Sequence, residues 1–367
     1  MIHELVKLTV AQKKESVYWD FKLEHHQDPA SLIHDIICLA NTTKHSGSRY
    51  LIFGIDPNSF EIIGLQTVNP NRQAQIIDIL INAHFANDII PGIKLHQITV
   101  EDVAIDVLEI RESREKPYYL SREYKKKGRK ILSAGTIYSR VEDRNTAING
   151  VASGNEIEHM WETRFNLDLN PKQRVTLYLE DFQKWETLDE HTWFFKPHPE
   201  YTLNLGGEGV EASLGHDRWA RACINKSVYY YSIELKYHQT VLWRGHTVSI
   251  DGGRALVVAP EFKMINRLNQ DEIIYYYLKN SIEWKVNIYL SNTVHQGKNN
   301  YSKEEGEEYI VVFDDEMELG DYQRYLKNNE LPTIDPIKLP NTEYDFVNST
   351  LEYCLKAKKL HFEFKQE

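Results

Sequence analysis

The stretch VYWDFKL, residues 17–23, decides how the first part of the chain is read. Trp19, Phe21 and Leu23 fall on one face of an alternating segment, and Tyr18, Asp20 and Lys22 on the other. Period-two alternation of this kind predicts a strand with one buried and one wet side. Glu15 lies five residues before Asp20. On a continuous strand it would face the opposite way, so it belongs to the turn or helix end that leads in.

Working outward, DPASLIHDIICLANT (28–42) predicts a helix, with Asp28 at the N-cap and Pro29 at the first position. Leu32, Ile33, Ile36, Ile37 and Ala40 supply its apolar stripe. RYLIFGI (49–55) reads as a continuous apolar strand stopped by the turn Asp56-Pro57-Asn58, with FEIIGL (60–65) as its hairpin partner. NRQAQIIDILINAHF (71–85) predicts a second helix, IKLHQITVEDVAIDVLEI (93–110) two strands joined at Glu101-Asp102, and GTIYSRV (135–141) a last strand. The order βαββαβββ predicts an α+β class, a mixed β-sheet with flanking helices, rather than a doubly wound fold.

Texture divides the rest. Residues 1–152 form the first expected domain. Residues 153–198 read as a helical connector, with two helical segments meeting at LDLNPKQR (167–174), where Asn170 caps and Pro171 sits just inside. Residues 199–367 read as a β-rich C-terminal domain, because SVYYYSIELKY (227–237), TVLWRGHTVSI (240–250), ALVVAPEF (255–262) and WKVNIYLSN (284–292) favour strands, and the last forty residues read as helix and strand. Tyr229–Tyr231 and Tyr275–Tyr277 are candidates to stack bases, with sheet packing as the alternative.

Several classes are excluded. Mean hydropathy is −0.52 and no run of eighteen apolar residues occurs, so no membrane span is expected. The start, MIHELVKLTVAQKKES, lacks the apolar core and cleavage site of a secretory signal. Cys38, Cys223 and Cys354 are scattered without CxxC spacing, which argues against a structural zinc and predicts a reduced, cytoplasmic setting. No Gly-Lys-Ser/Thr phosphate loop is present.

The net charge of −11 is unevenly spread. Residues 1–160 hold 19 Lys and Arg against 21 Asp and Glu, a balance of −2, and residues 161–367 hold 24 against 33, a balance of −9. The first part also carries the basic run KKKGRK (125–130). Lys125, Lys126, Lys127, Arg129 and Lys130 are either a nucleic-acid backbone contact or a solvated hairpin tip.

Asp20 and Lys22 point the same way on their strand, and Asp56 closes the strand at 49–55, where side chains are commonly presented into a cleft. Carboxylates with a lysine suit phosphodiester cleavage. Hard oxygen ligands hold Mg²⁺ or Mn²⁺, the ion activates water, and the ammonium steadies charge on the phosphoryl oxygens. The same spacing also fits a solvated strand face beside a turn aspartate. His25-His26 read as ligands, general acids or exposed loop residues.

ESVYWDFK (15–22), LIHDIICLANT (32–42), YLIFGIDPNSFEIIGL (50–65) and GTIYSRVEDRNTA (135–147) together resemble, in order and spacing, the Alba-like domain of the Schlafen family. That pattern runs Glu-Ser-x-x-x-Glu-Phe-Lys, then Ala-Asn-Thr, then Gly-Val-Asp, then Gly-x-Ile-Tyr-x-Arg with a later Thr. The resemblance implies a metal-dependent endoribonuclease with a three-carboxylate site, cutting structured RNA such as tRNA, with antiviral defence as a setting. By position it places the three acids and metal ligands at Glu15, Asp20 and Asp56, and the family's lysine at Lys22. It also implies a homodimer, since family enzymes set two such lobes around a groove and this chain shows one. Arg140 and Thr146 match the late motif and are expected to stabilise the sheet. Two departures stand out: Asp20 replaces a glutamate, and TKHSGS (43–48) replaces a Gly-Gly turn. The alternatives are a non-catalytic nucleic-acid-binding regulator and a protein-interaction module.

Overall fold

The computed structural model describes residues 2–126, 129–206, 210–211, 219–220, 229–250, 255–267, 270–293, 307–335 and 342–366. The chain is α+β and divides after Leu169 into two compact units, Met1–Leu169 and Asn170–Glu367.

The first unit contains α1 (Ile2–Ala11), β1 (Trp19–Lys22), α2 (Pro29–Asn41), β2 (Arg49–Phe53), α3 (Arg72–Asn82), β3 (Ile93–Val100) and β4 (Val103–Ile110). Two small hairpins follow, β5 (Tyr124–Lys126) with β6 (Arg129–Leu132) and β7 (Arg140–Val141) with β8 (Arg144–Asn145), and then α4 (Gly154–Arg164). The sheet runs β1-β2-β4-β3, with β1 parallel to β2 and the other pairs antiparallel. Glu101 and Asp102 both take positive φ, 51° and 63°, and form the tight β3–β4 turn at the place the sequence indicated.

Each sheet face is covered. Trp19, Phe21, Ile52, Ile105 and Val107 pack with Val6 of α1. Leu51, Phe53, Leu108 and Ile110 pack against Ile33, Ile36 and Ile37 of α2 and Ile76 and Leu80 of α3. Asp20 pairs with Leu51 and Lys22 with Phe53, so these two charged residues share the face on which α2 packs. The side expected to be wet is therefore largely enclosed: Asp20 is 2% exposed.

Residues 60–65 do not form the expected hairpin strand. They make one bridge, Ile55 to Ile62, and Ile63 and Gly64 both donate to the Gly54 carbonyl. Gly54 and Gly64 hold φ of 99° and 84°, and a Cβ on Gly64 would sit 2.6 Å from Val103 Cβ. The two glycines turn the segment across the end of the sheet instead of along it.

Asn41 explains the Ala-Asn-Thr helix end. It is fully buried, donates to the Tyr118 and Tyr138 carbonyls at 2.8 Å each, and accepts from the Tyr118 amide at 2.7 Å. Asn41→Ala strands three buried backbone groups, and urea unfolding is expected to show a loss of about 3 kcal/mol; a loss below about 1 kcal/mol would refute this accounting.

Residues 153–198 hold α4 in the first unit and α5 (Pro171–Tyr178) in the second, followed by β9 (Trp185–Asp189) and β10 (Thr192–Phe195). Asn170 caps α5 reciprocally with Gln173, with Pro171 in the first turn. The second unit continues with β11 (His198–Leu205), β12 (Val210–Glu211), β13 (Tyr229–Tyr237), β14 (Thr240–Ile250) and β15 (Ala255–Val258). They form a sheet in the order β15-β14-β13-β11-β10-β9, with β12 also paired to β13. A smaller sheet joins β16 (Glu261–Arg267), β17 (Gln270–Leu278) and β18 (Ile310–Phe313), accompanied by α6 (Ile282–Thr293), α7 (Glu316–Asn328) and α8 (Asp345–Phe364).

Two expectations change here. WKVNIYLSN lies within α6, because Ile282, Val286, Tyr289 and Leu290 share one helical face against the large sheet's core, and that periodicity overrides β-rich composition. The chain end is helical through α8, with no strand among the described residues beyond β18. Tyr275, Tyr276 and Tyr277 are buried in the two cores around β17, so packing rather than base stacking occupies them.

Candidate functional site

Glu15 precedes β1 and turns back onto it, its Oε1 accepting the Phe21 amide at 3.2 Å. On β1, Lys22 Nζ sits 2.8 Å from Asp20 Oδ2. The next carboxylate reached by Lys22 is Asp35 of α2, at 3.5 Å. The resemblance placed Asp56 third. Asp56 instead accepts from the Asn58 backbone at 2.8 Å and from the Asn58 side chain at 3.2 Å, within its own turn. The structure thus brings Glu15, Asp20 and Lys22 together with Asp35, and leaves Asp56 at an Asx turn after β2.

Arg140, expected only to stabilise the sheet, is the hub. From β7 its Nη2 lies 3.2 Å from Glu15 and 3.4 Å from Asp20, Nε donates to the Ser16 carbonyl at 2.9 Å, and Nη1 donates to Asn145 Oδ1 at 2.8 Å. Asn145 Nδ2 donates in turn to Asp35 Oδ1 at 2.8 Å. His26 Nε2 bonds the other Asp35 oxygen at 2.8 Å, and His25 Nε2 bonds Asp106 at 2.7 Å. Both histidines are nine-tenths enclosed rather than exposed loop residues.

Electrostatics separates the acids. Burial, then the hydrogen bond and charge of Asp20, push the Glu15 carboxyl up to about 7. Burial acts the same way on Asp35, but hydrogen bonds from His26 and His34 and the Lys22 charge outweigh it and hold that carboxyl well below the usual range. Burial works against the Lys22 ammonium, and Asp20 and Asp35 more than compensate, so its pKa is raised. Glu15 is also the most accessible of the three acids, its side chain 20% exposed against 3% for Asp20 and 12% for Asp35.

The fit to a divalent ion is poor. Among the described residues no three carboxylate, imidazole or thiolate groups converge to hold a metal. Glu15 and Asp20 offer two carboxylates, but Arg140 and Lys22 already engage them. A dication needs those oxygens free. Of the basic run, Lys125 is exposed and 3.3 Å from Glu123. Lys127 lies outside the described residues, as do the side chains of Lys126, Arg129 and Lys130. Among the described residues no helix is long and apolar enough to cross a membrane.

No curated protein matches the chain. Among solved structures it is similar to the N-terminal domain of an ATP-dependent DNA helicase RecG-related protein from Nitrosomonas europaea, at 20% identity and a TM-score of 0.25, covering 32% of this chain and 78% of that one. It is also similar to the DIP2311 protein from Corynebacterium diphtheriae, at 16% identity and a TM-score of 0.27, covering 45% of this chain and 34% of that one. At such scores neither likeness bears on the argument. The Schlafen, AlbA_2 family model matches residues 15–184, a span that contains Glu15, Asp20, Lys22, Asp35 and Arg140. The chain therefore carries a Schlafen/Alba-like domain over residues 15–184, a domain of a nucleic-acid-related family.

Proposed function

We propose that the first unit is an endoribonuclease acting on structured RNA, with tRNA as the first substrate to test. The observation that supports it most is Glu15, an accessible carboxyl raised to about 7 beside an enclosed Asp20 and two cations. A group poised near neutral pH exchanges protons in both directions. In this reading Glu15 takes the proton of the attacking hydroxyl and returns one to the leaving oxygen. Lys22, 30% exposed, stabilises charge developing on the phosphoryl oxygens, while the enclosed Arg140 holds Glu15 in place. Asp20 and Asp35 hold the two cations in place. The divalent-ion requirement implied by the resemblance is kept as an arm of the test.

Purified protein is incubated with end-labelled tRNA in Mg²⁺, in Mn²⁺ and in EDTA, beside folded Glu15→Gln and Asp20→Asn variants. The expected result is discrete fragments, with Glu15→Gln slower by about 10²–10⁴-fold. Cleavage that survives EDTA supports proton transfer by the side chains alone. Cleavage that needs Mn²⁺ shows that the cluster rearranges around an ion.

One observation favours a second reading. The charges are already mutually satisfied, as in a structural network, which suits a non-catalytic nucleic-acid-binding regulator. Intact tRNA under every condition, with binding retained by all three proteins, would select it. The homodimer is part of the proposal, and a strict monomer by size exclusion with light scattering removes that part.

A further inference from the structure

A polar cavity of about 420 Å³ lies in the first unit beside residues 43–48, the segment that replaces the Gly-Gly turn. Its lining includes Lys44, His45, Arg114, Lys116 and His159, with Glu112 and Asp168 as the acids. Lys116 is 4% exposed and Arg49, behind it, 1%. Both cations face one carboxylate, Glu112, at 3.7 Å and 3.3 Å. Glu112 also accepts the Gly47 amide, and Asp168 is committed to Arg114. Two enclosed cations therefore share a single negative charge, and an enclosed charge short of its counter-ion is costly.

Further details agree. The Arg49 Nε is buried without a hydrogen-bond partner. Burial and the Arg49 charge pull the Lys116 ammonium down to about 8. Lys44 stands at the rim, 58% exposed, with the exposed Glu142 at 3.8 Å. Ser46 and Thr163 add hydroxyl donors to the wall.

We infer that this cavity binds a phosphate group, with Lys116 at its floor, Arg114 on its wall and Lys44 at its mouth. A phosphate suits it better than a carboxylate, because converging ammonium, guanidinium and hydroxyl donors match several oxygens carrying more than one charge. Neither the acid cluster nor its chemistry enters this inference. The same phosphate chemistry can arrive on a free nucleotide or along an RNA backbone.

Thermal unfolding of the full chain is followed at pH 7 in inorganic phosphate and in chloride at matched ionic strength. The wild type is expected to show a saturable rise in Tm with phosphate only. Lys116→Met abolishes that rise; the Thr42 carbonyl it loses is still bonded by Arg49 at 3.2 Å, so the fold has no new orphan there. Lys44→Ala leaves the phosphate-free Tm unchanged and weakens phosphate by about tenfold, and it decides the matter if Lys116→Met fails to fold. No phosphate-specific rise in the wild type, or an equal rise in wild type and variants, overturns the site. Saturation by a 5′-nucleotide at lower concentration than phosphate supports it with a free nucleotide as ligand. The same behaviour from an RNA oligomer lacking terminal phosphates supports it with the backbone as ligand.

Discussion

Arg140→Met is expected to destabilise the first unit by about 3–5 kcal/mol, far more than the loss of an ordinary surface arginine. The side chain is 1% exposed and touches Glu15, Asp20, the Ser16 carbonyl and Asn145. Methionine fills much of the same volume, so the loss reports charge and hydrogen bonding rather than a cavity. Without the guanidinium, Glu15 loses its ion-pair partner, Asp20 keeps only Lys22 among the described residues, and the Ser16 carbonyl loses its donor. Hydrogen exchange of the β1 amides reads this unit separately from the second. A shift below about 1 kcal/mol would show that Arg140 is not the hub. Asn145→Ala, which removes one link on each side, is expected to cost about 1–2 kcal/mol.

The second large effect is on pH dependence. Glu15 is raised from an ordinary 4.5 to about 7, so the folded protein holds this proton more tightly than the unfolded chain does. The sign follows from linkage. Stability from this group is fully present below pH 4.5, falls as pH rises through the interval, and levels off above about 7. The total is on the order of 2–3 kcal/mol. Asp35 is shifted the other way, so its contribution is present above 3.8 and lost only as pH falls below that value, outside this window.

His45 does overlap the window. Burial and the Arg49 charge lower its pKa, so its contribution is lost as pH falls through 6.5, a slope of opposite sign. The quantity to measure is therefore the difference between wild type and Glu15→Gln in urea unfolding from pH 4 to 8. Glutamine mimics the protonated acid, so the variant should gain on the wild type as pH rises. A flat difference curve would place the Glu15 carboxyl in its ordinary range and remove the acid–base role proposed for it.

The alternation of 17–23 is enough to locate β1, and the Asp28-Pro29 signal to start α2. Which face of a strand stays wet depends on what packs against it, and no local pattern carries that. Asp20 and Lys22 fall on the side that the alternation marks as wet, yet α2 covers them. Asp35 sits inside a helix whose apolar stripe dominates its pattern, yet its neighbours in the sequence still mark it. Residues 32–41 contain only His34, Asp35 and Asn41 as polar groups, so a helix buried nearly all round has no solvent side to give its carboxylate, which must then find a partner. Asp56 shows the converse. Its position after a strand is right for a cleft, but Asn58 two residues on offers a local hydrogen bond that holds it in the turn. Arg140 is visible as a motif residue, but its purpose is not, since its two acid partners stand more than a hundred positions away.

That separation has a consequence for synthesis. Glu15 and Arg140 are 125 residues apart in the chain and 3.2 Å apart in the fold. A ribosome finishing residue 139 has already delivered the acids, β1, α2 and the entire four-stranded sheet, but not the guanidinium that joins them. The cluster is therefore completed by one of the last segments of its unit to emerge, and each nascent chain carries these carboxylates unassembled while the 125 residues from Glu15 to Arg140 are made.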